Sequence, residues 1–142
     1  MKGGIDIFKT LLTNPGSTSS EVSIFEDENE IISARIVHPV SELRKYPTIP
    51  DQFPYRNAIL KAQLKEWNIK KGDLAAVVGR SALGRRESGT YEVNDQMIAD
   101  VKKFMSQRGG HAAGMGCLLA KEIAGESWFF PKPDTVGSEG PT

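Results

Sequence analysis

Three places in the sequence carry residue types that could handle a phosphate or a carboxylate. The first is Asn14-Pro15-Gly16-Ser17-Thr18-Ser19. A phosphate needs several hydrogen-bond donors converging on one point. A tight turn can aim backbone N–H groups at it, glycine lets the backbone come close, and Ser17, Thr18 and Ser19 add hydroxyls. The same residues also make ordinary hairpin loops. The second is Arg80, just after the apolar run Leu74-Ala75-Ala76-Val77-Val78. The carboxyl end of a buried strand is where α/β sheets usually receive ligands, and a guanidinium grips a carboxylate or phosphate with two parallel N–H bonds. Its plainer role is to close a strand at the surface. The third is His111, preceded by Gly109-Gly110 at an expected helix start, where the helix dipole favours anions. A cap or a packed core histidine is the alternative.

The elements that must position these residues can be read from periodicity. Residues 8–12, the alternation around Val22 and Ile24, and the β-branched run over 31–37 predict a three-strand meander, with its first corner at residues 14–19 and a polar break at Glu26-Asp27-Glu28-Asn29. Pro39, Pro47, Pro50 and Pro54 punctuate a long connector. Leu60, Leu64 and Trp67 mark one face of a helix over 55–67, with Gly72 as its stop. The run over 74–78 predicts a strand buried on both faces, after an α/β crossover. Asn94 or Asp95 can cap a helix bearing Met97, Val101, Phe104 and Met105, and a further helix is expected over 111–124 on Met115, Leu119 and Ile123. Trp128-Phe129-Phe130 could form a last strand. The Pro/Gly/Ser-rich tail over 131–142 is expected to be disordered. The sum is an α/β fold, a mixed sheet with helices packed on it.

Composition removes several classes of function. Eighteen basic residues offset eighteen acidic ones, so no global field draws the chain to nucleic acid or an anionic membrane, and any anion must be held by local groups. The lone cysteine, Cys117, excludes an intrachain disulfide, and its neighbours Met115, Leu118 and Leu119 predict a buried thiol. No apolar run approaches the roughly 18–20 residues of a membrane span, and the first residues lack a signal-peptide core, so a cytoplasmic location is expected.

Several motifs occur in an order that resembles the opening of butyrate kinases, in the acetate and sugar kinase, Hsp70 and actin superfamily. They are the Asn14–Ser19 loop between strands, Asp51-Gln52-Phe53-Pro54-Tyr55-Arg56 at the head of the first long helix, Ala76-Val77-Val78-Gly79-Arg80, Glu87-Ser88-Gly89-Thr90-Tyr91-Glu92-Val93-Asn94, and His111-Ala112-Ala113-Gly114-Met115-Gly116. The match runs over about 9–124. Ordered motifs are more specific than any one of them. The resemblance implies the ribonuclease H-like half of that superfamily's fold, truncated, with an N-terminal kinase domain over 1–130. It implies phosphoryl transfer from ATP, with Mg2+, to butyrate or another short-chain carboxylate. Arg80 would hold the carboxylate or acyl phosphate, Asn14, Gly16, Ser17, Thr18 and Ser19 would cradle phosphate, and His111 would donate a hydrogen bond. The second, adenosine-binding domain of that family has no counterpart in the chain. A homo-oligomer or a partner chain could supply it.

The pattern is also broken in places. Glu21 stands where the family has a phosphate-neutralising lysine, so it either points away or weakens phosphate binding. Ser81-Ala82-Leu83-Gly84 replaces a Gly-Gly-Leu-Leu stretch, Gly114 replaces an asparagine, and Asp134 is an insecure match to a substrate-contacting aspartate. Two other enzyme readings are weaker. Gly79–Arg86 imitates a phosphate-binding Walker loop but lacks its Lys-Ser/Thr pair. Gly109-Gly110-His111 resembles an element of DHH-type phosphoesterases, yet His38 and His111 are the only histidines, too few for that metal centre. A non-catalytic remnant or binding module is the main alternative to the kinase.

Overall fold

The computed structural model describes residues 7–80, 92–106 and 111–125. The segment over 128–130, the tail and the Ser81–Tyr91 stretch lie outside the described residues.

Alternation of apolar and polar residues builds the sheet. Strands β1 (Lys9–Pro15), β2 (Ser19–Glu26) and β3 (Asn29–Val37) form the expected antiparallel meander. Strand β4 (Ala76–Gly79) adds parallel to β1, giving the order β3-β2-β1-β4. On one face Leu11 pairs with Ile24, Thr13 with Val22, and Leu11 with Val77, all buried. Among the described residues β3 and β4 are the two edges of the sheet, and β3 is largely exposed.

The connector contains a short helix α1 (Val40–Leu43) and a single 3-10 turn at Pro50–Gln52. Helix α2 (Phe53–Glu66) follows, starting two residues earlier than its apolar pattern predicts because Pro54 fits the first turn of a helix. It is stopped by Asn68, not Gly72. Asn68 takes the left-handed conformation at φ 57°, and the Ile69 N–H returns to the Leu64 carbonyl at 2.9 Å. Helix α3 (Asp95–Ser106) is capped by Asn94, whose Oδ1 accepts the Met97 N–H at 2.8 Å. The last expected helix is two pieces, a 3-10 turn at Ala112–Met115 and helix α4 (Gly116–Ala124).

Helices α2 and α4 pack on the buried face of the sheet, and the Ala112–Met115 turn bears on β1 and α3. Leu60, Leu64, Met97, Val101, Met105, Met115, Leu119 and Ile123 fill the core, as their spacing predicts, and Cys117 lies among them, 2% exposed. Trp67 and Phe104 are only half-buried. The architecture is mixed α/β and compatible with a domain of an α/β kinase.

Candidate functional site

Because β1 and β4 run parallel, their carboxyl ends emerge side by side. β1 ends in the expected loop. β4 ends at Gly79, and the Arg80 N–H donates to the Thr13 carbonyl at 2.9 Å, one residue before Asn14. Arg80 is exposed there. The close approach of helix α4 fixes this junction. A Cβ on Gly79 would collide with the Gly116 carbonyl, and one on Gly116 with the Arg80 carbonyl. The chain therefore needs glycine at both positions to bring the Arg80 backbone against the head of α4.

The loop is tighter than the six residues expected. Asn14 and Pro15 belong to β1 and Ser19 to β2, so the turn is Gly16-Ser17-Thr18, closed by the Gly16 N–H to the Ser19 carbonyl at 2.7 Å. Ser17 and Thr18 are exposed, whereas Ser19 is buried at 7%. Ordinary van der Waals contact is all that a Cβ on Gly16 would meet, so the turn itself does not require that glycine.

All three carbonyls following Gly16 are bound from within. The Ser17 carbonyl accepts from Arg56 Nη2 at 3.1 Å, Thr18's from the His38 N–H at 2.8 Å, and Ser19's from Arg56 Nη1 at 3.0 Å. Every peptide among the described residues is trans, and in a trans peptide the C=O and the following N–H point in opposite directions. With the Ser17 carbonyl turned inward, the Thr18 N–H faces outward. Among the described residues neither Ser17 N–H nor Thr18 N–H has an acceptor. An outward, unpaired N–H on a fixed turn is a donor that an anion can meet.

Behind the turn lies a polar cluster that the motif reading missed. Arg56 is fully buried, and His38 and Ser20 nearly so. Ser20 Oγ lies 3.2 Å from Arg56 Nη1 and 2.8 Å from His38 Nε2. The guanidinium can only donate, so Ser20 Oγ accepts from Arg56, and the proton shared with His38 is carried by either the hydroxyl or Nε2. Burial, and then the neighbouring Arg56 charge, lower the His38 pKa to about 4. Tyr55 stacks edge-on against this ring, with centroids 5.2 Å apart. A signal for Arg56 was present. Arg56, Leu60 and Leu64 share one i, i+4, i+8 stripe, and an arginine in an apolar stripe is a buried one.

Asn14 and Glu21 are cross-strand partners, and Asn14 Nδ2 donates to Glu21 Oε1 at 3.4 Å. Glu21 thus stands at the Asn14 amide, beside β1 rather than over the turn. Arg35 follows Glu21 in the same cross-strand row.

His111 caps the Ala112–Met115 turn, its Nδ1 accepting the Ala113 N–H at 3.0 Å. The proton of the neutral ring is therefore on Nε2, and the residue is exposed. Gly114 is packed against Met105: a Cβ there would meet Met105 Cγ at 2.7 Å, so a larger residue would have to displace that side chain. Among the described residues no group of three His, Cys, Asp or Glu side chains could hold a metal ion. None of the helices described is long and apolar enough to cross a membrane.

A mixed sheet with a donor-bearing turn and an arginine at the carboxyl ends of its parallel strands is an arrangement that an α/β kinase domain can use. No family model matches the chain. Its similarity is to butyrate kinases. It is 43% identical to butyrate kinase 1 of Clostridium acetobutylicum over 121 residues, 84% of this chain and 34% of that protein. It is 40% identical to butyrate kinase 2 of the same organism over 133 residues, 91% of this chain and 37% of that one. The probable butyrate kinase of Clostridium botulinum strain Eklund 17B is 40% identical over 120 residues, 84% of this chain and 33% of its own length. The chain spans about a third of the length of the curated relatives it matches, which agrees with the motif-based resemblance to the N-terminal part of butyrate kinases.

Proposed function

We propose that this chain forms the phosphate- and carboxylate-binding part of a kinase of the butyrate kinase type, which transfers a phosphoryl group from ATP to butyrate or another short-chain carboxylate. The observation that carries the reading is the Arg80 N–H to Thr13 carbonyl bond at 2.9 Å, which sets a guanidinium-bearing residue beside a turn whose Thr18 N–H faces outward. The meander β1–β3 with β4 parallel to β1 is the strand arrangement expected of a ribonuclease H-like half, and residues 1–130 would be the N-terminal kinase domain in the cytoplasm.

In this reading ATP brings the phosphoryl group, and Mg2+ arrives on its phosphate oxygens, since the described residues form no metal cage of their own. The Thr18 and Ser17 N–H groups and hydroxyls receive phosphate oxygens. Arg80 neutralises the carboxylate and the transferring group, and His111 Nε2 donates a hydrogen bond to a phosphoryl oxygen. Transfer in line between positioned groups needs no protein nucleophile. The remaining two thirds of such an enzyme would come from another domain or a second chain.

A non-catalytic binding module is the second reading, favoured by Glu21 at the position of the family lysine. Trapping acyl phosphate with hydroxylamine, from ATP, Mg2+ and butyrate, separates the two. The isolated chain is expected to give no product. A chimera joining it to the remaining two thirds of butyrate kinase 1 is expected to give product, with Arg80→Ala in that chimera about 100-fold slower or worse. A folded but inactive chimera would point to the module, and full activity of the Arg80→Ala chimera would remove Arg80 from the site.

A further inference from the structure

Arg56 carries a full charge at 0% exposure, and its partners are all neutral: Gln52 Oε1 at 3.1 Å, the carbonyls of Ser17 and Ser19, and Ser20 Oγ. It forms no ion pair with a carboxylate among the described residues, and burial works against its charged form. Buried charges are ordinarily paired, because the lost hydration must be replaced. Here the cation lies directly beneath a turn whose Thr18 N–H faces outward without an acceptor, while the sequence has an acid, Glu21, where a lysine would neutralise phosphate.

We propose that Arg56 is the positioning residue of this turn, holding the Ser17 and Ser19 carbonyls inward and supplying from below the positive charge that position 21 lacks. The inference rests on the reading of the turn as a phosphate site and names what makes it one. The path is a single peptide unit. The guanidinium binds the Ser17 carbonyl, which polarises the Ser17–Thr18 peptide and strengthens its outward N–H as a donor. A bound phosphate then brings the countercharge that Arg56 lacks. Lysine could keep the charge but not the fork that reaches Ser17, Ser19 and Ser20 together.

The test is amide and guanidinium NMR of the full chain titrated with inorganic phosphate, against chloride at equal ionic strength. In the wild type the Thr18 amide and the Arg56 Nε–H resonance are expected to shift together and saturate at one concentration. Arg56→Lys should bind phosphate at least tenfold more weakly while its core resonances stay in place, and Arg56→Met more weakly still. A folded Arg56→Lys chain that binds as tightly as the wild type would sink the inference and leave the turn's role intact. So would a wild-type titration that moves Thr18 but not Arg56, a result that needs no variant to fold. If phosphate moves neither, the phosphate-site reading itself fails, and this inference falls with it.

Discussion

A buried histidine behind the turn makes a pH prediction possible at the level of single residues. His38 keeps a folded pKa of about 4 against an ordinary value of 6.5, first through burial and then through Arg56. Above pH 6.5 the ring is neutral in folded and unfolded chains alike, and stability is at its full value. Between 6.5 and 4 the unfolded chain takes up a proton that the folded chain refuses, so stability falls as pH falls through this window. Below about 4 this group adds no further slope. Urea midpoints across pH 4–7 should therefore drop faster for the wild type than for His38→Gln. Equal slopes would mean that His38 takes up a proton in the fold as readily as in the unfolded chain, and that burial beside Arg56 does not hold its pKa down.

Among the elements, the contact between the end of β4 and the head of α4 sets where Arg80 stands. Its two glycines are needed for close approach, since neither has a left-handed backbone. Gly116→Ala and Gly79→Ala should each destabilise the chain by about 1–3 kcal/mol, the usual cost of overpacking, because backbone atoms cannot move aside like a flexible side chain. Gly72→Ala is the contrast: nothing lies within 4 Å of a Cβ there, and its effect should stay within about 0.5 kcal/mol. Thermal melts of the three variants decide it, and a Gly116→Ala chain as stable as the wild type would mean that α4 does not seat on β4 this closely.

At the scale of the whole molecule, α2 and α4 roof one face of the sheet, and among the described residues the other face carries half-buried side chains such as Leu12 and Phe25. Leu119 sits under that roof at 0% exposure. Leu119→Ala should cost about 2–5 kcal/mol, a large share of the roughly 5–15 kcal/mol that holds such a domain folded, and denaturant unfolding would measure it. A loss below 1 kcal/mol would mean that α4 contributes little to the core. By contrast Ile31 and Val37, 47% and 62% exposed on the edge strand, are apolar residues that the described fold does not bury. Their β-branched run predicts the strand correctly but not its burial, since strand propensity is the same at an edge as in a centre.

The sequence by itself determined the elements and most of the core. The period of two around Val22 and Ile24, the helical stripes Leu60–Leu64 and Met97–Val101–Met105, and the Asn94 cap are local signals, and local physics reads them. It also located the turn and Arg80, because ordered motifs survive without knowledge of packing. What only the tertiary structure decided are the relations between distant residues. Asn14 and Ser19 went into strands because pairing with β2 and β3 satisfies their backbone groups, which shrank the loop to three residues, two of them exposed. Helix α2 stopped at Asn68 because a left-handed asparagine closed it before Gly72 was reached. Arg56 lies 37 residues from the carbonyl of Ser19 that it binds, and no spacing rule reports such a bond. It forms because folding withdrew the guanidinium from water, and the turn's own carbonyls were the acceptors within reach.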